Sequence, residues 1–243
     1  MMKEKVQVCK YENSDSDYDE IIRLHKLIFK NTALDNKLIY FDAHFEVFFK
    51  NVILDSKHNA LTVLKIDDKI AGFIHFKIIE DTLFLNNICI DSGKQGSGLG
   101  KYFLKESLNY YKDSEMKNFI LDVFSKNVKA LQWYEKLGLK IISETKWTQI
   151  LHSQETQFTS DTYLKNDENG FKSVYADAIK IATVVNDKNL VIHKMDYAKQ
   201  IALADFDTVI TNQNADGFQT VLLDNSYRMK ELLKNVIKNL TDV

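Results

Sequence analysis

The sequence predicts an α/β (α+β) fold, a mixed β-sheet flanked by helices, followed by a smaller C-terminal α/β region. Three observations predict it. Over the first 150 residues, strand-like runs exchange with runs of 3.6-residue apolar spacing. Three consecutive β-rich runs are joined by short polar turns, the pattern of an antiparallel meander. A strand–helix–strand–helix–strand order then follows, and such a crossover needs pairing that is at least partly parallel.

The elements are justified in turn. A short strand over 6–11 precedes an Asn/Ser/Asp loop able to cap a helix over 17–29, in which Ile21, Leu24 and Ile28 share one face. A second helix is expected over 40–53, with Phe41, Phe45, Phe48, Phe49 and Val52 at helical spacing. The meander runs over 60–66, 70–79 and 83–90, turning at Asp67-Asp68-Lys69 and Glu80-Asp81-Thr82. From Gly98 a helix buries Leu99, Phe103, Leu104, Leu108 and Tyr111; a strand over 119–124, a helix over 127–137 and a strand after Gly138 complete the series. Beyond residue 150 the polar stretch HSQETQFTSDTYLKNDENG marks a boundary, giving a first domain over 1–150, a linker over 151–170 and a small α/β domain over 171–243. In that last region strand-like residues cover 174–185, 190–194, 208–211 and 220–223, with helices over 196–203 and 227–239. The run VLLDNSYRMKELLKNVIKN faintly echoes ILDVFSKNVKALQWYEKL, which raises the idea of a degenerate second copy of part of the first domain.

Composition excludes several classes of function. With 45% hydrophobic and 27% charged residues the chain has material for a core and is not globally disordered. Thirty-two basic against 34 acidic residues, a net charge of -2, gives no long-range attraction to nucleic acid or to an anionic membrane surface. Arg23 and Arg228 are the only arginines, so bidentate clamps for phosphate or carboxylate are nearly absent elsewhere. Two cysteines are too few for a disulfide framework, six histidines show no metal-ligand spacing, and no long uncharged apolar run occurs; a cytoplasmic protein without a metal is expected. Proline is absent from all 243 residues, where average usage would supply about 12. Every turn is made by other residues.

The segment IDSGKQGSGLGKYFL, residues 90–104, sets a strand against a Gly-rich turn and a helix. Glycines let the main chain approach an anion, and the helix N-terminus adds donors and a dipole. Aligned on Gly100-Lys101, a P-loop would need Gly at Gln95 and Ser or Thr at Tyr102. A dinucleotide fingerprint from Gly96 would need Gly at Lys101. What remains is Q/R-x-x-G-x-G/A, met by Gln95, Gly98 and Gly100.

That pattern resembles the acetyl-CoA signature of the GNAT superfamily of N-acetyltransferases. A second signature, N-x-x-A-x-x-x-Y-x-K-x-G, is met by Asn127, Ala130, Tyr134, Lys136 and Gly138, and the resemblance covers residues 1 to about 150. It implies a centrally splayed sheet, acetyl-CoA as co-substrate, no metal, and transfer of acetyl to a primary amine by direct attack in a ternary complex. The pantetheine arm would lie along Ile88, Cys89 and Ile90. The pyrophosphate would meet Gln95, Gly96, Ser97, Gly98, Leu99, Gly100 and Lys101. Asn127 would touch pantetheine or a nearby water, and also suits a helix N-cap; Tyr134 would be the general acid. Relatives carry an acid on the strand before the loop, where this chain has Asn86 and Asn87. Asp42, His44, Glu46 and His75 are the alternative bases, or a water chain serves. Cys89 is expected to be packing rather than nucleophile. The acceptor would be a small molecule or peptide, with Asp42 and Glu46 favouring a cationic amine, and the C-terminal region would restrict the acceptor or make a homodimer. A catalytically weak acyl-CoA-binding module is the alternative function.

Overall fold

The computed structural model describes residues 5–11, 15–54, 57–96, 98–151, 158–159 and 161–242. The chain divides into two compact units: Met1–Ile28, Val52–Ser143 and Tyr227–Val243 form the first, Phe29–Asn51 and Glu144–Ser226 the second. The units interleave along the chain, where sequence reasoning set a single boundary at residue 150.

In the first unit the strands are β1 (Val6–Lys10), β2 (Asn59–Ile66), β3 (Lys69–Ile79), β4 (Thr82–Ile90) and β5 (Asn118–Phe124), in that order across the sheet. Next to β5 comes the end of β12 (Thr220–Leu232), then the start of β6 (Lys140–Ile150). β1 to β4 pair antiparallel, and β4 and β5 pair parallel. The meander turns lie close to those expected; Asp67 and Asp68 adopt φ 49 and 63, and Glu80 φ 53, left-handed values tolerated at tight turns. Helices α1 (Asp15–Phe29), α3 (Leu99–Asn109) and α4 (Val128–Lys136) also stand near their expected positions.

The C-terminal segment departs from expectation. Residues 227–232 continue β12, and helix α5 starts only at Leu233, running to Asp242. Two contacts account for the longer strand: Arg228 makes a two-pronged ion pair with Asp122 of β5 at 2.8 Å, and Met229 is fully buried. Leu233, Val236 and Leu240 of α5 join Phe76, Leu85, Phe103, Leu108, Phe119 and Leu121 in one apolar cluster, so the end of the chain completes the first unit's core.

The second unit holds β7 (Thr162–Asn166), β8 (Lys172–Ala176), β9 (Ile179–Val185), β10 (Asn189–Ile192) and β11 (Thr208–Thr211), with the later part of β6 beside β11. β7 lies inside the stretch expected to be a linker. The run 174–185, expected as one strand, belongs to two, split by a tight turn at Asp177 (φ 48) and Ala178 (φ 64). Without a glycine to mark it, the turn is hard to see. The helix expected over 196–203 is replaced by two 3₁₀ turns, Met195–Gln200 and Leu203–Asp205. The aromatic segment 40–53 is likewise not one helix: a 3₁₀ turn at Ile39–Phe41, the short helix α2 (Phe45–Phe48) and a π-turn over Phe49–Leu54 divide it, with Phe45 and Phe49 buried.

The two units repeat one topology. β7 to β10 pair antiparallel and β10 pairs parallel with β11, the order and sense of β1 to β5. In both meanders the third strand carries one extra residue opposite the second: Ala71 in β3 and Ile181 in β9. The repeat pairs residues 162–211 with 6–124 and therefore lies elsewhere than the faint echo in the sequence.

Two substitutions probe these packing statements. Leu233→Ala should cost about 2 to 5 kcal/mol in urea unfolding, because it opens a cavity in the first unit's core. Ala178→Gly should stabilise by about 0.5 to 1 kcal/mol by relieving a left-handed alanine.

Candidate active site

The site is built from β4 outward. Parallel pairing of β4 with β5 covers only Thr82–Leu85 against Asn118–Leu121. From Asn86 to Ile90, β4 keeps its partner β3 on one side and has no ladder partner toward β5. The break coincides with a bulge: His75 pairs with Asn87 and Phe76 with Leu85, so Asn86 is the extra residue. A bulge bends its strand and increases its twist, which carries β4 away from β5. One polar edge of Ile88, Cys89 and Ile90 is thereby left open beside a parallel strand, as a cleft that could take an extended chain needs.

Buried His75 props the bulge. Its Nε2–H donates to Asn59 Oδ1 at 2.7 Å, and Nδ1 accepts from Asn86 Nδ2 at 3.2 Å. Asn86 Nδ2 also donates to Asn87 Oδ1 at 2.5 Å. Burial pushes the His75 pKa down to about 3, so the ring stays neutral with both nitrogens engaged. Asn86 and Asn87, which stand where an acid was sought, are parts of this support.

The loop after β4 is held by side chains in the absence of proline. Asp91 Oδ1 accepts from Gly93 N at 3.0 Å, capping a 3₁₀ turn over Ser92–Lys94, and Gln95 Nε2 donates to Ile90 O at 2.8 Å. Arg23 of α1 donates to Asp91 Oδ2, and its guanidinium holds the Asp91 carboxyl below the usual carboxylate range. Gly96 (φ 95) and Gly98 (φ 78) take left-handed conformations, and no atom lies within 4 Å of where a Cβ on either would stand. Gly98 caps α3, whose first turn presents donors with no partner inside the helix. Gln95, Gly96, Gly98, Leu99, Gly100 and Lys101 are brought together around this open turn; Ser97 lies outside the described residues. A pyrophosphate fits the donor set and the space. The Arg23–Asp91 link spans 68 positions and no local motif announces it.

On the far side of the gap, Asn127 caps α4 by accepting from Ala130 N at 3.2 Å. Tyr134, one to two turns on, is buried in the cluster that includes Ile90, Leu121 and Val123, and burial raises its pKa, keeping the phenol protonated. Burial pushes the Cys89 thiol up to about 12, which fits packing rather than nucleophilic attack. Three of the alternative bases belong to the second unit. Asp42 is buried; its Oδ1 accepts from His44 N and Nδ1–H, and its Oδ2 from Asn186 N, each at 2.9 Å. Glu46 is paired with Lys50 at 3.0 Å.

The second unit lacks this machinery. Its parallel pair is zipped along the whole of Asn189–Ile192 with Thr208–Thr211, and no glycine occurs between residues 192 and 208. Among the described residues, no group of three His, Cys, Asp or Glu could hold a metal, and no helix is long and apolar enough to cross a membrane.

Acidification offers a test of the buried rings. His25, fully buried against Phe73 and donating from Nδ1 to Ile21 O, is held down to about 4, and His75 to about 3. Between those values and 6.5 the unfolded chain binds protons that the folded chain excludes, so stability is full above 6.5 and falls below it. Unfolding free energies from urea titrations should drop between pH 7 and 5 by up to about 1.4 kcal/mol per pH unit for each ring.

Comparison with known proteins agrees with this geometry. The model of the Acetyltransferase (GNAT) family matches residues 19–139. A tandem GNAT protein from the clavulanic acid biosynthesis pathway superposes with TM-score 0.65 at 9% identity, over 94% of this chain and 99% of that one. An acetyltransferase from Pyrococcus horikoshii gives 0.62 at 12% identity, over 93% and 89%. The ribosomal-protein-S18-alanine N-acetyltransferase of Escherichia coli gives 0.50 at 13%, over 94% of each chain. At such identities the likeness concerns the fold. With the splayed strands, the Gly-rich turn and the matched family in place, residues 19–139 of this chain belong to the GNAT family of acetyltransferases.

Proposed function

We propose that this chain transfers the acetyl group of acetyl-CoA to a primary amine by direct attack in a ternary complex, with the first unit holding the co-substrate. The observation that carries the reading is the early end of the β4–β5 ladder at Leu85, directly before a Gly-rich turn and the N-terminus of α3. Ile88, Cys89 and Ile90 bind pantetheine through their open backbone edge. The loop from Gln95 to Lys101 binds pyrophosphate through main-chain N–H groups and the start of the helix. Asn127 lies toward the same arm while capping α4. Acetyl-CoA supplies an activated thioester, and what the protein adds is position and proton handling.

Tyr134 gives its proton to the departing thiolate. A phenol kept neutral by burial is suited to that role, and Tyr134→Phe removes the proton without emptying the cluster. In a thiol-release assay with an amine panel, Tyr134→Phe should lower kcat by about a hundredfold while acetyl-CoA affinity stays within a factor of about two. Equal turnover by the variant removes Tyr134 from the mechanism.

Arg23 acts through Asp91 as a positioning residue. Arg23→Ala should raise the KM for acetyl-CoA about three- to tenfold with kcat nearly unchanged, and Arg23→Lys should recover part of the loss. A fall in kcat with unchanged KM would contradict a role in shaping the loop.

A second reading is a catalytically weak acyl-CoA-binding module. It is favoured by one observation, the uncharged Asn86–Asn87–His75 group on β3 and β4 where relatives place an acid. Acetyl-CoA binding with no thiol release on any amine between pH 7 and 9 supports that module and rejects the transferase. Neutral amine acceptors need no enzymic base, so turnover rising with the deprotonated, neutral fraction of the acceptor supports the transferase.

A further inference from the structure

The second unit, stripped of the cofactor loop, contains a cavity of about 440 Å³ over β8 and β9. Ile39 and Phe48 border it, and the loop 167–171 closes one side. That loop is rigid. Asp167 Oδ1 accepts from Asn169 N and Phe171 N, both at 3.0 Å. Gly170 holds φ 90, and a Cβ there would lie 2.6 Å from the His44 ring. The loop thus fixes two lining residues, Asn169 and Phe171, in place.

Asn169 is only 9% exposed, yet its carboxamide hydrogen-bonds none of the described residues. The carboxamide lines the cavity, where a ligand that hydrogen-bonds it takes the place of water. Beside it the walls are aromatic: Phe171 packs 5.9 Å from Phe48, and Tyr175 faces the same space. The charges lining the cavity are Asp167, Glu168 and Lys180, with His193 paired through Nε2 to Thr183 Oγ1 at 2.9 Å. Burial pushes the His193 pKa down to about 4, so the ring is neutral at pH 7.5 and the lining carries one negative charge in excess. Lys180 shows how the cavity treats an ammonium: Nζ lies 2.6 Å from Asp167 Oδ2 and 6.0 Å over the Phe171 ring. Asp167 is committed to that pair and to its loop. Glu168, exposed at the rim, is the uncompensated carboxylate.

We propose that this cavity binds a small organic cation, a primary ammonium on a short apolar chain. The ammonium meets Glu168 and the face of Tyr175, the chain packs against Phe48 and Phe171, and a polar terminus reaches Asn169. Aromatic faces and a carboxylate attract a desolvated cation, while a carboxylate ligand would meet repulsion. The site is a binding site in its own right and does not depend on the transferase reading.

Calorimetry on the full chain without acetyl-CoA tests it with three probes of matched length: 1,4-diaminobutane, butane-1,4-diol and succinate. The diamine should bind one site per chain, with the diol and succinate at least about tenfold weaker. Glu168→Gln, an exposed change that leaves the melting temperature unaltered, should weaken the diamine about five- to tenfold, and Tyr175→Leu by a similar factor. Absence of diamine binding overturns the proposal, as do preference for the diol or succinate and an affinity indifferent to both substitutions.

Discussion

The whole arrangement depends on where β4 stops pairing with β5. A parallel sheet gains by extending its ladder, and here the ladder ends after Leu85 because Asn86 is one residue too many for β3. His75 makes the bulge permanent. It is buried, neutral and bonded to Asn59 and Asn86, so closing the bulge would strand polar groups in the core. The open edge of Ile88 to Ile90, the loop that follows and the start of α3 all take their positions from that divergence.

The second unit shows the same sheet without that divergence. Its third strand carries a bulge that matches Ala71, but β10 pairs with β9 in continuous register, without a counterpart of the Asn86 bulge, and β10 and β11 are paired over Asn189–Ile192 and joined by 3₁₀ turns that contain no glycine. One topology therefore appears twice, once with a gap and a Gly-rich turn, once closed. Residues 29–51 are part of this second unit, tied down by Asp42 to the Asn186 N–H and by the Asn36 carbonyl to Asn189. The core of the first unit in turn needs the chain's last helix. Neither half is a contiguous piece of sequence.

What could be read in advance was what sits close together in the chain. The meander, α1, α3 and α4 were legible because period and turn residues are local signals, and the Gly-rich turn before α3 because Gln95, Gly98 and Gly100 stand close together in the chain. The Arg23–Asp91 link was not, since it joins positions 68 apart. The tight turn at Asp177-Ala178 hid because alanine rarely adopts φ 64. Segment 40–53 has helical spacing but breaks into three short turns, tertiary contacts of Phe45 and Phe49 overriding the period. The repeat escaped because what survives in the second unit is strand order and pairing sense, which leave almost no trace in residue identity.

The central proposal is that coenzyme A binds where the ladder opens, in the first unit. Titration calorimetry of coenzyme A into the full-length protein, alongside Gly98→Val with its fold confirmed by circular dichroism, tests it most directly. The account predicts one site per chain, lost in the variant because a β-branched residue cannot hold φ 78 and would block the turn. Two sites per chain, or one site that persists with unchanged affinity in Gly98→Val, would contradict it.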